Sequence, residues 1–90
     1  MKSNEAWLEC EISDGMFPGE YTVTSRTIEQ SPFSFFIPSD YVMVHENLVK
    51  VNLLESAEHY YLVRLPALPF ENVGQTVRVP RASVKEPTAT

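Results

Sequence analysis

Seven prolines stand in a chain of ninety residues, against only three glycines. Each proline removes a backbone donor and is poorly tolerated inside a helix or a central strand. Regular structure is therefore confined to short pieces. Between Pro32 and Pro38 only five residues remain, enough for a strand and hardly enough for a helix. Ordinary globular chains carry nearer ~5% proline.

Between the prolines the pattern alternates. Over residues 7–12, Leu8, Cys10 and Ile12 fall on one side and Trp7, Glu9 and Glu11 on the other, the period of a half-buried strand. Ser13-Asp14-Gly15 breaks it. Phe17-Pro18-Gly19-Glu20 then places Pro and Gly at the centre of a type II turn. Residues 20–28 hold Tyr21, Val23 and three threonines, a strand composition. Residues 33–37 form a short aromatic run, residues 41–44 continue extended, and His45-Glu46-Asn47 reads as a turn. Val49, Val51 and Leu53 alternate with Lys50 and Asn52, and Val77 alternates with polar neighbours before Pro80. Glu71-Asn-Val-Gly74 reads as a further turn, and residues 81–84 as one helical turn or a closing strand.

Residues 52–65 carry two competing signals. Asn52 followed by Glu55 resembles a helix start, and Leu53, Leu54, Ala57, Tyr60, Tyr61 and Leu65 share one helical stripe. Against that, His59-Tyr-Tyr-Leu-Val-Arg-Leu65 is strongly β-prone. A hairpin looping at residues 55–58 accounts for both flanks and is the expectation.

Roughly six short strands, with turn signals every ~8–12 residues, predict an all-β fold. The expected architecture is a small single-domain, partly closed barrel or sandwich of SH3-like size, with at most one short helix. Closure protects strand edges. The domain is expected over residues 1–84, with 85–90 a flexible tail, and no internal repeat is visible. Phe36-Ile-Pro-Ser-Asp-Tyr-Val42 resembles the Pro-Ser-Asn/Asp-Tyr-Val segment that closes SH3 domains and lines their proline-peptide groove. That resemblance covers seven of the ninety residues. The Ala-Leu-Tyr-Asp-Tyr opening and the Trp-Trp pair of that family are missing, and the segment sits mid-chain. The ligand function of the family is not carried over.

The formal charge of −5 repels polyanions. Residues 1–60 hold three cations against ten anions, a balance of −7, and residues 61–90 hold four against two, a balance of +2. Four cations spread over thirty residues do not concentrate charge as a nucleic-acid surface does. One cysteine excludes an internal disulfide, and neither a signal-peptide run nor ~20 consecutive apolar residues is present. The expectation is a cytoplasmic protein with no nucleic-acid or membrane partner.

Chemistry has few candidates. Glu9 and Glu11 flank Cys10, and an anionic setting raises a thiol pKa; parity places the cysteine with the core. Glu9 and Glu11 share a face ~7 Å apart on a strand, which a solvated outer face explains as well as an acid–base pair. His45 and His59 each adjoin a glutamate, Glu46 and Glu58, without the four-ligand spacing of a zinc site. Glycines at 15, 19 and 74 make no phosphate loop. No enzymatic activity, cofactor or metal is expected.

Parity supplies the functional hint. With Leu8, Val23, Val51 and Val63 inward, Trp7, Phe36, Tyr60 and Leu62 tend outward. Several large apolar side chains on one side mark a contact surface. The reading is a non-enzymatic protein–protein interaction or assembly module, acting on another protein or as a homo-oligomer. The alternative is a small-ligand or metal site built from His45, His59 and nearby carboxylates. A competing structural reading has the outer face covered by the chain's own loops, such as the proline-rich segment 66–70.

Overall fold

Strands form wherever alternation and β-branched or aromatic residues coincide between prolines. The structure, a computed structural model, describes residues 4–71 and 73–85. Its strands are β1 (Glu5–Glu9), β2 (Glu11–Asp14), β3 (Glu20–Arg26), β4 (Pro32–Pro38), β5 (Val42–Met43), β6 (Leu48–Ser56), β7 (Tyr60–Arg64), β8 (Thr76–Pro80) and β9 (Val84–Lys85). They build two antiparallel sheets. The larger runs β8-β7-β6-β1-β9 with β5 added to β6, and the smaller runs β2-β3-β4. The all-β expectation holds, in a sandwich-like arrangement.

Several local expectations are met in detail. The Pro18-Gly19 turn closes with Glu20 N–H donating to the Phe17 carbonyl at 3.1 Å, and Gly19 takes the positive φ of 81° that a type II turn requires. The hairpin prevails over the helix in residues 52–65. β6 and β7 pair through Leu53↔Val63 and Ser56↔Tyr61, with a register shift between Leu53 and Glu55. The loop starts two residues later than expected and ends one later, at Ala57-Glu58-His59, where Ala57 N–H donates to the Tyr60 carbonyl at 2.9 Å. One extra residue in a strand absorbs this offset and adds twist. The turn expected at Glu71-Asn-Val-Gly74 includes residue 72, which lies outside the described residues; Gly74 has φ 80°.

Other expectations need correction. The strand expected over residues 7–12 is two strands, because the chain passes from the larger sheet to the smaller at Cys10. Tyr41 is not extended. It ends a 3-10 turn, Ser39–Tyr41, and a second such turn covers Arg81–Ser83; among the described residues no longer helix occurs. Each follows a proline with φ near −60° that closes a strand, Pro38 or Pro80, and each hands its chain to a two-residue strand. Lys85, which the sequence assigned to the tail, belongs to β9; the rest of that expected tail, residues 86–90, lies outside the described residues.

The pairing pattern occurs twice, although no repeat is visible in the sequence. β3 pairs β2 and β4, then a proline, a 3-10 turn and β5 follow. β7 pairs the far half of β6 and β8, then a proline, a 3-10 turn and β9 follow. β5 crosses to pair β6, and β9 crosses to pair β1. Leu8 pairs Val49 between the two halves. Each of these also pairs the valine that follows a 3-10 turn, Leu8 with Val84 and Val49 with Val42. The two halves are thus related by a pseudo-twofold axis at the Leu8–Val49 pair. Matching registers equate Ile12 with Leu53, Tyr21 with Tyr61, Val23 with Val63, Phe35 with Val77 and Ile37 with Val79.

The core lies between the sheets. Leu8, Val23, Phe33, Phe35, Val49, Val63 and Val79 are fully buried, and Ala6, Ile37, Val51, Tyr61, Leu65 and Val77 join them. Phe33 and Phe35 lie nearly parallel with centroids 6.4 Å apart. A fully buried side chain of this size stabilises by ~1.5–3 kcal/mol relative to exposure. The inward parity expected for Leu8, Val23, Val51 and Val63 is the one observed.

Loops cap the outer sheet edges. Phe70 N–H donates to the Ser34 carbonyl at 2.8 Å, and Ser34 N–H donates to the Glu71 carboxylate at 2.7 Å, so the free edge of β4 is engaged at Ser34. Ile28 N–H donates to the Arg78 carbonyl at 2.8 Å and does the same for β8. These bonds occupy groups that could otherwise recruit another strand. No helix among the described residues is long and apolar enough to cross a membrane.

Candidate functional site

The alternation that buries Ala6 and Leu8 sends Trp7 to the outer face of the larger sheet. The same alternation in β7, which buries Tyr61 and Val63, sends Tyr60 and Leu62 to that face. All three are half-buried. Phe36 lies elsewhere. It is on the outer face of the smaller sheet, where Phe70 meets it edge-on with ring centroids 4.8 Å apart. Phe36 is half-buried like the other three, and Phe70 from the proline-rich segment packs against it. Trp7, Tyr60 and Leu62 share a sheet face instead.

Cations accompany that face. Lys50 is opposite Trp7 across the β1–β6 pair, and its Nζ lies 5.8 Å from the Trp7 ring and 6.0 Å from the Tyr41 ring. Arg78 is opposite Leu62, and its guanidinium lies 5.6 Å from the Tyr60 ring. A cation within ~6 Å of an aromatic face is held by roughly 0.5–1 kcal/mol at an exposed site. Tyr41, at the rim, was not singled out in the sequence as an outward aromatic. The Pro-Ser-Asp-Tyr-Val run was the available signal, since it ends in the 3-10 turn that brings Tyr41 next to Lys50.

A cleft of about 350 Å³ opens on this side. Its origin is a gap in strand pairing. β6 is covered at residues 48–49 by β5 and from residue 52 onward by β7, which leaves Lys50 and Val51 between them. Tyr41 forms one wall, and Arg64, Leu65, Pro66 and Gln75 form the other. Gln75 Nε2 donates to the Leu65 carbonyl at 2.8 Å and fixes that wall. Lys50 Nζ lies 4.0 Å from a Glu5 carboxylate oxygen, with both side chains partly exposed, which is a weak pair. Among the described residues the side chains of Arg64 and Asn52 and the Tyr41 hydroxyl make no hydrogen bond or ion pair.

Arg81, by contrast, is fully engaged. It donates to Ser56 Oγ and the Ala57 carbonyl, both at 2.7 Å, and to the Tyr61 hydroxyl at 3.0 Å, while its guanidinium stacks 4.3 Å from the Tyr61 ring. It ties the second 3-10 turn to the β6–β7 loop and is a structural residue.

The remaining candidates do not converge. His45 follows β5 and His59 precedes β7, so they stand beyond opposite ends of β6, roughly 25 Å apart along a strand rising ~3.3 Å per residue. No group of three or more His, Cys, Asp or Glu among the described residues is placed to hold a metal ion. Cys10 is half-buried against the core, not within it, and its Sγ donates to the Asn47 carbonyl at 3.6 Å. Burial pushes the thiol up to about 12, so at neutral pH it is protonated and a poor nucleophile. Glu9 pairs with Lys85 at 3.6 Å on the surface.

Comparison with known protein families, with characterised proteins and with solved structures finds no match.

Proposed function

We propose that this chain is a non-enzymatic protein-interaction module that binds through the outer face of its larger sheet. One observation carries the reading: Trp7, Tyr60 and Leu62 stay partly open to solvent on one sheet face, each beside a cation from the neighbouring strand. Aromatic side chains and arginine dominate interface energies, because they bring large area at little entropy cost. Phe36 lies outside this surface, on the outer face of the smaller sheet against Phe70. The outer face takes its place with Trp7, Tyr41, Tyr60 and Leu62.

A photo-crosslinking side chain at Leu62 tests the reading in the cells that make the protein. The expected result is a discrete adduct with one protein, or with a second copy of the chain. A matched probe at Met16, on the exposed β2–β3 hairpin, is expected to give none. Failure of the Leu62 probe to form any protein adduct, or equal labelling from both positions, would refute the proposal.

A further inference from the structure

The pseudo-twofold relation gives the cleft beside Lys50 a counterpart. A second cleft, of about 290 Å³, is lined by Glu9, Cys10, Glu11, Thr24, Arg26 and Ser83, among others. Pairing registers equate much of the two linings. Lys50 corresponds to Glu9, Val51 to Cys10, Asn52 to Glu11, Arg64 to Thr24 and Tyr41 to Ser83. Its origin is also equivalent, a gap on one strand edge where β9 covers residues 7–8 and β3 covers residues 11–14.

The same backbone frame therefore carries two different linings. The first holds Lys50, Arg64 and Glu5, and the second holds Arg26, Glu9 and Glu11. One is net cationic and the other net anionic. The cationic cleft stands within a chain of net charge −5, whose first sixty residues are more acidic still. Twelve carboxylates are available in the sequence, yet Arg64 pairs with none among the described residues. The anionic cleft has its own compensation, since Lys85 pairs with Glu9 and Arg26 donates to the Gln30 carbonyl at 2.8 Å.

We propose that the cleft between Tyr41 and Pro66 receives an extended acidic segment of a partner protein, carrying carboxylates two residues apart. This rests on the protein-interaction reading and names the chemistry of the partner. Lys50 and Asn52 are same-face neighbours on β6, roughly 7 Å apart, and Arg64 lies directly across from Asn52. Side chains at alternate positions of an extended peptide have that same spacing. One carboxylate takes the fork of Arg64, which suits bidentate pairing. The next takes Lys50, with the segment's apolar stems against Tyr41 and Pro66. A second copy of this chain fits less well: its Glu9-Cys10-Glu11 run has the right spacing but itself lines a cleft, and two concave surfaces do not interlock. Polyanionic nucleic acid meets the acidic remainder of the chain.

The test uses the full chain, isotope-labelled, titrated with a capped pentapeptide bearing glutamates at its second and fourth positions. Peptides with glutamine or lysine at those positions serve as controls. Saturable NMR shifts confined to Tyr41, Lys50, Asn52, Arg64 and Gln75 are expected, lost with the control peptides and weakened by salt. Arg64→Gln is expected to weaken binding at least tenfold, and Arg26→Gln, in the counterpart cleft, to leave it unchanged. Arg64 is exposed, so its variant keeps the fold, which an unchanged remainder of the spectrum verifies. Absence of saturable shifts, equal binding of the glutamine peptide, shifts centred on Arg26 and Glu11, or tighter binding of an oligothymidine at the same residues would each overturn the assignment. A crosslinked protein partner at Leu62 together with failure of the glutamate peptide removes this inference alone. Loss of the crosslink removes the reading beneath it.

Discussion

Truncating Leu8 to alanine strikes the place where the two halves of the chain meet. Leu8 is fully buried and pairs at once with Val49 of β6 and Val84 of β9. The substitution deletes about three carbons, a loss of about 2.4 kcal/mol at ~0.8 kcal/mol per buried methylene. The cavity left behind adds to this, since neighbours drawn from both sheets cannot collapse together, which brings the total to about 3–4 kcal/mol. A ninety-residue domain at ~0.1 kcal/mol per residue holds about 9 kcal/mol, so a third or more of the stability is removed. Urea unfolding followed by tryptophan fluorescence at Trp7 and by far-UV circular dichroism measures the change, and Tm is expected to fall by roughly 12–30 °C. Both probes should shift together with an unchanged m-value, because β1 links the larger sheet to the smaller through Cys10. Leu8→Val, which supplies the residue found at the pseudo-equivalent Val49, should cost only about 1 kcal/mol. A loss below about 1 kcal/mol for Leu8→Ala, or separate transitions from the two probes, would refute the view of β1 as the common junction.

Arg81→Met should cost about 1 kcal/mol in urea unfolding, less than a fully buried charged network because the side chain is exposed. It should also loosen Ser56 and Ala57, read as faster amide exchange at the β6–β7 turn; unaltered exchange there would count against the tie. Gly19→Ala should destabilise by about 1 kcal/mol through its positive φ alone, since a Cβ there meets nothing within 4 Å, and Gly19→Asn should be milder. Equal losses for the two would refute the conformational explanation. Cys10 should react slowly with a thiol reagent at pH 8 in the folded chain and rapidly in urea. Its folded pKa stands above the unfolded value, so the folded state holds the proton more tightly once the pH passes the unfolded pKa. Stability is then expected to fall from about pH 9 towards about pH 12, more steeply than in Cys10→Ala. Parallel pH profiles for the two proteins would contradict that linkage.

Much of the local structure was legible because it depends on neighbours in sequence. Pro18-Gly19 fixes its turn through one required positive φ, and the β-prone run from His59 to Leu65 outweighs the capping pattern at Asn52 because its alternation buries Tyr61 and Val63. The site was less legible. Phe36 and Trp7 look alike as outward residues of strands, but which sheet each strand joins depends on the break at Cys10 and on loop cover from Phe70. Tyr41 reads as strand until Pro38 is seen to start a 3-10 turn. The repeated pairing pattern escaped the sequence because equivalent positions keep polarity and size class more than identity. Tyr21 and Tyr61, Val23 and Val63, and Pro38 and Pro80 coincide, while Leu8 and Val49, or Phe35 and Val77, share only burial.

The sequence by itself determined that this chain forms short antiparallel strands with an aliphatic and aromatic interior, because prolines limit segment length and period-two alternation assigns each side chain a face. Tertiary structure decided the rest. Only the crossing of β5 onto β6 and of β9 onto β1 creates the gaps in pairing that open the two clefts. Only the pseudo-twofold register sets Lys50 and Arg64 where the counterpart cleft has Glu9 and Thr24. Each cleft joins a nearby hairpin, Asn52 to Arg64 or Glu11 to Thr24, to a second strand laid against the same edge, and for the counterpart cleft that strand comes from the far end of the chain, where Val84 meets Leu8.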